Sequence, residues 1–226
     1  MSDEDRGVDA DKRATLRRFA ALGAATPLAS LGTGEAEARA TTERSDARDA
    51  ILGYVRTTPG AHFSKLRDDL KLGTGETQHH LRRLLDDGRA SDADVPSSER
   101  RSDDPAIVSR RDGDYRRFFL AGRFSTFEQV ALGYLRRETP RGMVLTLLRH
   151  PDATGSAVAD AIGVSRATVS TYVSELEEAG LLVRDDGYTV ARPETIITLL
   201  VRYADSFDAE TAAFAAEADE VLRYDP

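Results

Sequence analysis

Shifting the 226-residue chain over itself by 92 positions superposes residues 45–90 on 137–182 without a gap. Apolar residues then meet apolar residues: Ile51 meets Met143, Val55 meets Leu147, Leu66 meets Val158, Leu70 meets Ile162, Leu81 meets Val173 and Leu84 meets Leu176. Pro59 also falls on Pro151, and Gly88 on Gly180. A chance match of two amphipathic helices would not align the breakers as well, so the chain holds two copies of one small helical unit. That restricts the fold more than any other feature does.

In the second copy, Thr139 and Pro140 open a helix that Pro151 stops, and Thr154 opens a short one ending near Ile162. Gly163 makes the turn, and Ser165 caps a longer helix that ends at Gly180. Residues 181–190 then read as two short strands around Asp186-Gly187, a tight hairpin. Helix, helix, turn, helix, hairpin is the order of a winged helix-turn-helix. Ala159 is small enough for the helix crossing, and Val158, Ile162, Val164, Val169 and Tyr172 supply a shared core. Residues 155–182 resemble the helix-turn-helix of MarR- and ArsR-type regulators at those positions.

The first copy keeps Pro59, Gly60, His62, Phe63, Thr74, Gly75, Gln78, His80, Leu81, Arg82, Arg83 and Leu84. It resembles the amino-terminal winged helix of haloarchaeal tandem winged-helix transcriptional regulators, and it departs at Thr77, where an apolar residue is usual, and at His79. The resemblance covers about residues 45–192. It implies a mainly α fold with small β-hairpin wings (α+β), two tandem winged helix-turn-helix domains and C-terminal helices.

Helix geometry nominates the surface that meets DNA. With Thr77, Leu81 and Leu84 inward, Gly75, His79, Arg82 and Arg83 point outward, flanked by Thr74, Glu76 and Gln78. Gln pairs bidentately with adenine, and Arg suits guanine or phosphate. A solvated surface carrying an ordinary Arg pair is the plainer alternative. His80 is expected at the core edge. In the second copy the outward residues are Arg166, Thr168, Ser170, Thr171 and Ser174, a less convincing reading face. The first wing is expected to begin at Arg89 and Ala90, pass through a mobile insert over 91–114, and return at 115–122. Arg116 and Arg117 on the returning strand are then placed for phosphate.

The divisions expected are a flexible Ala-rich arm over 1–44, with a short helix as the alternative, a first winged helix over 45–122, a connector helix over 123–138, a second winged helix over 139–192, and C-terminal helices over 193–226. Ser125 and Glu128 form a capping box at the connector. Ile196, Ile197, Leu199, Leu200, Tyr203 and Phe214 make the last helices candidates for pairing two subunits, or simply a cover for the second domain. Arg17-Arg18, sixteen uncharged residues and Ala36-x-Ala38 resemble a twin-arginine export signal, but a loose one. An exported protein cannot regulate genes, so a cytoplasmic location is the expectation.

There is no Cys, which excludes disulfides, thiolate metal sites and thiol nucleophiles. No phosphate-binding glycine loop, nucleophile elbow or zinc-protease helix appears. No enzyme, cofactor, metal or membrane partner is expected. The net charge of −8, with only three Lys, fits a salt-loving source, so it does not argue against a DNA partner. The function expected is sequence-specific binding of double-stranded DNA in transcription regulation, as a homodimer. A tandem winged-helix protein-docking module, of the kind seen in the acidic segregation protein that binds a kleisin, is the alternative.

Overall fold

A computed structural model describes residues 3–23, 35–92, 106–185 and 187–221. The chain forms two compact units, residues 1–124 and 125–226, both mainly helical and each with one small antiparallel hairpin. Unit 1 comprises α1 (Asp3–Gly23), α2 (Glu35–Thr57), α3 (Phe63–Asp69), α4 (Thr74–Asp92), β1 (Ile107–Asp112) and β2 (Tyr115–Leu120). Unit 2 comprises α5 (Thr126–Leu135), α6 (Glu138–Arg149), α7 (Gly155–Ile162), α8 (Arg166–Glu178), β3 (Leu182–Arg184), β4 (Tyr188–Val190), α9 (Pro193–Arg202) and α10 (Ala209–Val221).

The repeat reappears as backbone geometry. The ends of α2 and α6, the starts of α3 and α7, and the starts of α4 and α8 all stand 92 residues apart. His62 and Thr154 are the corresponding N-caps, accepting hydrogen bonds from the backbone N–H of Lys65 and Ala157. In the turns, the Leu72 N–H donates to Arg67 O and the Val164 N–H to Ala159 O, both at 3.0 Å. Each turn needs one left-handed residue, which is Gly163 (φ 68°) in unit 2 but Lys71 (φ 54°) in unit 1. α6 starts one residue before Thr139, and its N-cap Arg137 makes no side-chain capping bond.

The copies part company at the next glycine. Gly180 takes φ 70° and ends α8, whereas Gly88 stays helical and α4 continues through Arg89 and Ala90 to Asp92. Those two residues therefore do not begin a strand. The first wing is instead a β1–β2 hairpin across a two-residue turn at Gly113-Asp114, so residues 107–112 of the expected insert are a strand. Period-2 alternation explains this: Ile107 and Ser109 lie opposite Leu120 and Phe118 on one face, with Ile107, Phe118 and Leu120 buried in the core. Residues 93–105, with Arg100 and Arg101, lie outside the described residues. β2 is also tied to the helix-turn-helix: the Gly60 N–H donates to Phe118 O at 2.9 Å, and the Phe118 N–H to Ala61 O at 3.1 Å.

The arm expected over 1–44 is helical throughout its described length. α1 packs along α2, with Leu16 buried in the unit 1 core and the Phe19 ring 5.3 Å from that of Tyr54. Spacing explains it: Leu16 and Phe19, three apart, fall on one helix face. Residues 24–34 of the export-like segment lie outside the described residues.

In unit 2, Ser125 and Glu128 form the capping box expected for α5. α9 begins with Pro193 at its first turn, and Ile196, Ile197, Leu199, Leu200, Tyr203 and Phe214 are all buried within this chain. The buried Arg141 guanidinium bonds to Leu135 O and to the Asp208 carboxylate, joining α6 to the start of α10. The helices expected to pair two subunits thus cover their own unit. Among the described residues, no helix is long and apolar enough to cross a membrane.

Candidate nucleic-acid interface

α4 buries one side and exposes the other. Leu81, Leu84 and Leu85 are buried, while Thr74, Gly75, Gln78, His79, Arg82 and Arg83 are exposed. Thr77 is a polar residue at a core position, and its Oγ1 donates to Gly73 O at 2.9 Å. That bond satisfies the hydroxyl inside the helix's own backbone, which is why a non-apolar residue is tolerated there. His80 is buried at the core edge, its ring edge-on to His79 at 5.2 Å. Burial lowers its pKa below the usual value, and the neighbouring His79 adds to the effect.

The wing brings basic residues to α4. A cleft of about 460 Å³ lies between them, walled by Phe63, Leu81, Leu85 and Phe118 and rimmed by Gln78, Arg82, Asp86 and Arg116. Three sequence-nominated residues, Gln78 and Arg82 from α4 and Arg116 from β2, therefore face one space. Arg116 is exposed and its Nε donates to Ser109 Oγ at 2.8 Å. Directly opposite it across the hairpin stands Arg111, also exposed. Two like charges at facing positions of a strand pair are mutually destabilising, so the wing carries a positive charge its own fold does not favour.

Arg117 is not available to phosphate. It is buried, ion-paired to Asp112, and its Nη1 donates to Gly60 O at 3.0 Å. Strand alternation puts Arg116 on the face of Ser109 and Phe118, at the exposed end of the hairpin, and Arg117 on the other face with Asp112 and Phe119, a distinction that the Arg-Arg pair alone does not reveal. Arg111 falls within the insert expected over 91–114, which is why the sequence does not nominate it. The signal that could have found it is the Asp112-Gly113-Asp114 turn directly before the strand-like run 115–120.

His62 holds the wing and the helix-turn-helix together. It caps α3 through Nδ1, forms an isolated β-bridge with Arg117, and sets its ring 5.0 Å from Tyr115. Burial lowers its pKa, and the positive charges of Arg117 and Lys65 lower it further.

The corresponding face of unit 2 is poorer. On α8, Arg166, Ser170, Thr171 and Ser174 are exposed and Thr168 is half-buried. The Thr171 hydroxyl donates to Ala167 O and the Ser174 hydroxyl to Ser170 O, while the Thr168 hydroxyl is bonded to that of Ser165. Their donors are thus turned back onto α8 and its cap. Arg184 on the small wing is ion-paired to Glu177 at 3.1 Å. Charge separates the units further. Residues 1–124 hold 22 basic and 22 acidic residues, whereas 125–226 hold 9 basic and 17 acidic, so the whole net charge of −8 belongs to unit 2. Among the described residues, no three His, Asp or Glu side chains gather into a metal-binding group.

Two family models match the chain. One, described as an N-terminal HTH domain, covers residues 45–101, and the other, described as winged helix-turn-helix DNA-binding, covers residues 136–183. The chain therefore carries two helix-turn-helix domains, the second of a winged DNA-binding kind, and neither match is to a catalytic domain. No curated protein and no solved structure matches it significantly.

Proposed function

We propose that this protein is a regulator of transcription that binds double-stranded DNA inside the cell and reads it chiefly with unit 1. The observation that carries this reading is the convergence of Gln78, Arg82 and Arg116 on one cleft between helix and wing. A helix whose exposed side offers Gln, His and Arg reads base edges in the major groove, and a basic wing holds the flanking backbone. Thr74 and Gly75 let the first turn of α4 approach closely, and Arg83 reaches phosphate or guanine beside Arg82. Arg166, Thr168, Ser170, Thr171 and Ser174 of unit 2 act, on this reading, as a secondary surface. No enzymatic step and no cofactor is needed. A homodimer, as expected from the sequence, would pair through other residues than Ile196, Ile197, Leu199, Leu200, Tyr203 and Phe214, which belong to the core of unit 2.

The test is to replace Arg82 and Arg83 with Ala, singly and together, in the full chain. A base-contacting Arg costs about 1–3 kcal/mol of binding and relaxes preference at one base pair. A phosphate-contacting Arg weakens all sequences alike and lowers the salt slope by about 1. Both side chains are exposed, so thermal unfolding should not change. If the double variant binds DNA as tightly as the parent, unit 1 is not the reader, and tandem docking onto another protein becomes the better account.

A further inference from the structure

α4 has a charge problem as a reader of a polyanion. Over its whole length, Arg82, Arg83 and Arg89 stand against Glu76, Asp86, Asp87 and Asp92, so the helix itself carries a net charge of −1. Glu76 is the more serious, because it sits in the first turn, the part of a reading helix that enters the groove. Its Oε2 accepts from the Gly73 N–H at 3.3 Å, a bond that helps cap the helix and keeps the carboxylate in place.

The answering cation comes from outside the helix-turn-helix. Lys12 Nζ on α1 lies 3.1 Å from Glu76 Oε2, and the preceding residue, Asp11, pairs with Lys71 Nζ at 3.5 Å in the turn that leads into α4. α1 is held there by the burial of Leu16 and by the contact of Phe19 with Tyr54. From Lys12 to Gly23 it holds four basic residues and no acidic one. The matched family model begins only at residue 45, so α1 lies outside it.

We propose that α1 is part of the nucleic-acid surface, with Lys12 offsetting Glu76 at the first turn of α4. Lys12 is a positioning residue here: it acts on DNA binding through the charge of Glu76, and it brings α4, which alone carries a net charge of −1, to neutrality. This inference rests on the reading that α4 meets DNA.

The experiment measures binding of the full-length protein to a random-sequence DNA duplex over a range of salt concentrations. Lys12→Met should weaken binding about three- to fivefold at low salt, the size of a partly exposed ionic contact. Glu76→Gln in the parent should tighten it by a similar factor, and Lys12→Met/Glu76→Gln should return to within about twofold of the parent if the two charges act on each other. A purely structural salt bridge would move the melting temperature without this crossed rescue. Glu76→Gln needs no fold change, so it keeps the test decisive if Lys12→Met fails to fold. The idea is overturned if Lys12→Met binds like the parent, if Glu76→Gln does not tighten binding, or if the double variant stays as weak as Lys12→Met. A parent that binds no duplex at any salt concentration would sink the DNA reading and this inference together. Loss of binding by Arg82→Ala with none of these Lys12 and Glu76 effects would sink this inference alone.

Discussion

Lys71 occupies a backbone conformation that an L-residue avoids. Its φ of 54° places its Cβ against its own backbone, a cost of roughly 1–2 kcal/mol that glycine does not incur. The same turn in unit 2 uses Gly163, so the two copies provide an internal comparison. Lys71→Gly should raise the stability of unit 1 by about 1 kcal/mol, read as a shift in its denaturant midpoint. The pairing of Lys71 with Asp11 is long and exposed, and its loss should not offset the gain. No rise in the midpoint would mean that the turn is not strained. A second residue-scale prediction concerns the caps. The Nδ1 of His62 must stay unprotonated to accept the Lys65 N–H, and a charge there would also face Arg117 and Lys65, with Asp68 and Asp69 the opposing acids. Because the folded pKa lies below 6.5, the unfolded chain binds the proton more readily. The stabilisation is therefore complete above pH 6.5 and is lost as pH falls below it. His80 acts in the same direction. His62→Thr, borrowing the cap that Thr154 provides in unit 2, should flatten the fall in unit 1 stability between about pH 7 and pH 5. An unchanged pH profile would assign the effect to His80 or to carboxylates.

At the scale of elements, α1 is the one whose role changes most between sequence and structure. With Leu16 buried and Phe19 packed on the core, unit 1 is incomplete without it. Phe19→Ala should destabilise unit 1 by about 2–3 kcal/mol, at or below the lower end for an aromatic truncation because Phe19 is only partly buried. A change under about 0.5 kcal/mol, the range of ordinary surface substitutions, would show that α1 does not belong to the core. Why α1 was hidden is plain from its composition. Two apolar anchors among ten charged residues make a weak amphipathic stripe, and the Arg17-Arg18 pair followed by uncharged residues suggests an export leader instead. The helix-turn-helix elements were legible because they combine caps, breakers and 3.6-residue periodicity, which meet at Thr154, Gly163 and Ser165. The reading face of α4 was legible for the same reason, since burial of Leu81 and Leu84 fixes where Arg82 and Arg83 point. The first wing was legible only in its returning strand, β2. Its inner strand carries Ser109, Arg110 and Arg111, and only the partner strand with Phe118 and Leu120 shows that the segment is β. Cross-strand pairing is non-local, so a one-strand reading misses it.

At the scale of the whole molecule, the charge is partitioned more sharply than the fold. Unit 1 is neutral overall and unit 2 carries −8, so the acidity that suits concentrated salt lies in the unit with the weaker reading face. A polyanion bound by unit 1 is joined through the chain to a strongly acidic body. At about 0.1 M salt the Debye length is about 10 Å, and that body opposes binding; at about 1 M it is about 3 Å, and the opposition is screened. A fragment of residues 1–124 retains its own core and the whole α4–wing cleft. It should bind a DNA duplex several-fold more tightly than the full chain at low salt, and the two affinities should converge as salt is raised. The full chain should also show the shallower salt dependence, because unit 2 repulsion and unit 1 attraction are screened together. The comparison separates two roles for unit 2. If the full chain binds more tightly than the fragment at every salt concentration, α8 with Arg166, Ser170 and Thr171 makes contacts that outweigh its surroundings, and the protein reads DNA with both copies. If the fragment is the tighter binder only where screening is weak, one copy reads, and the acidity of the other sets how strongly it holds.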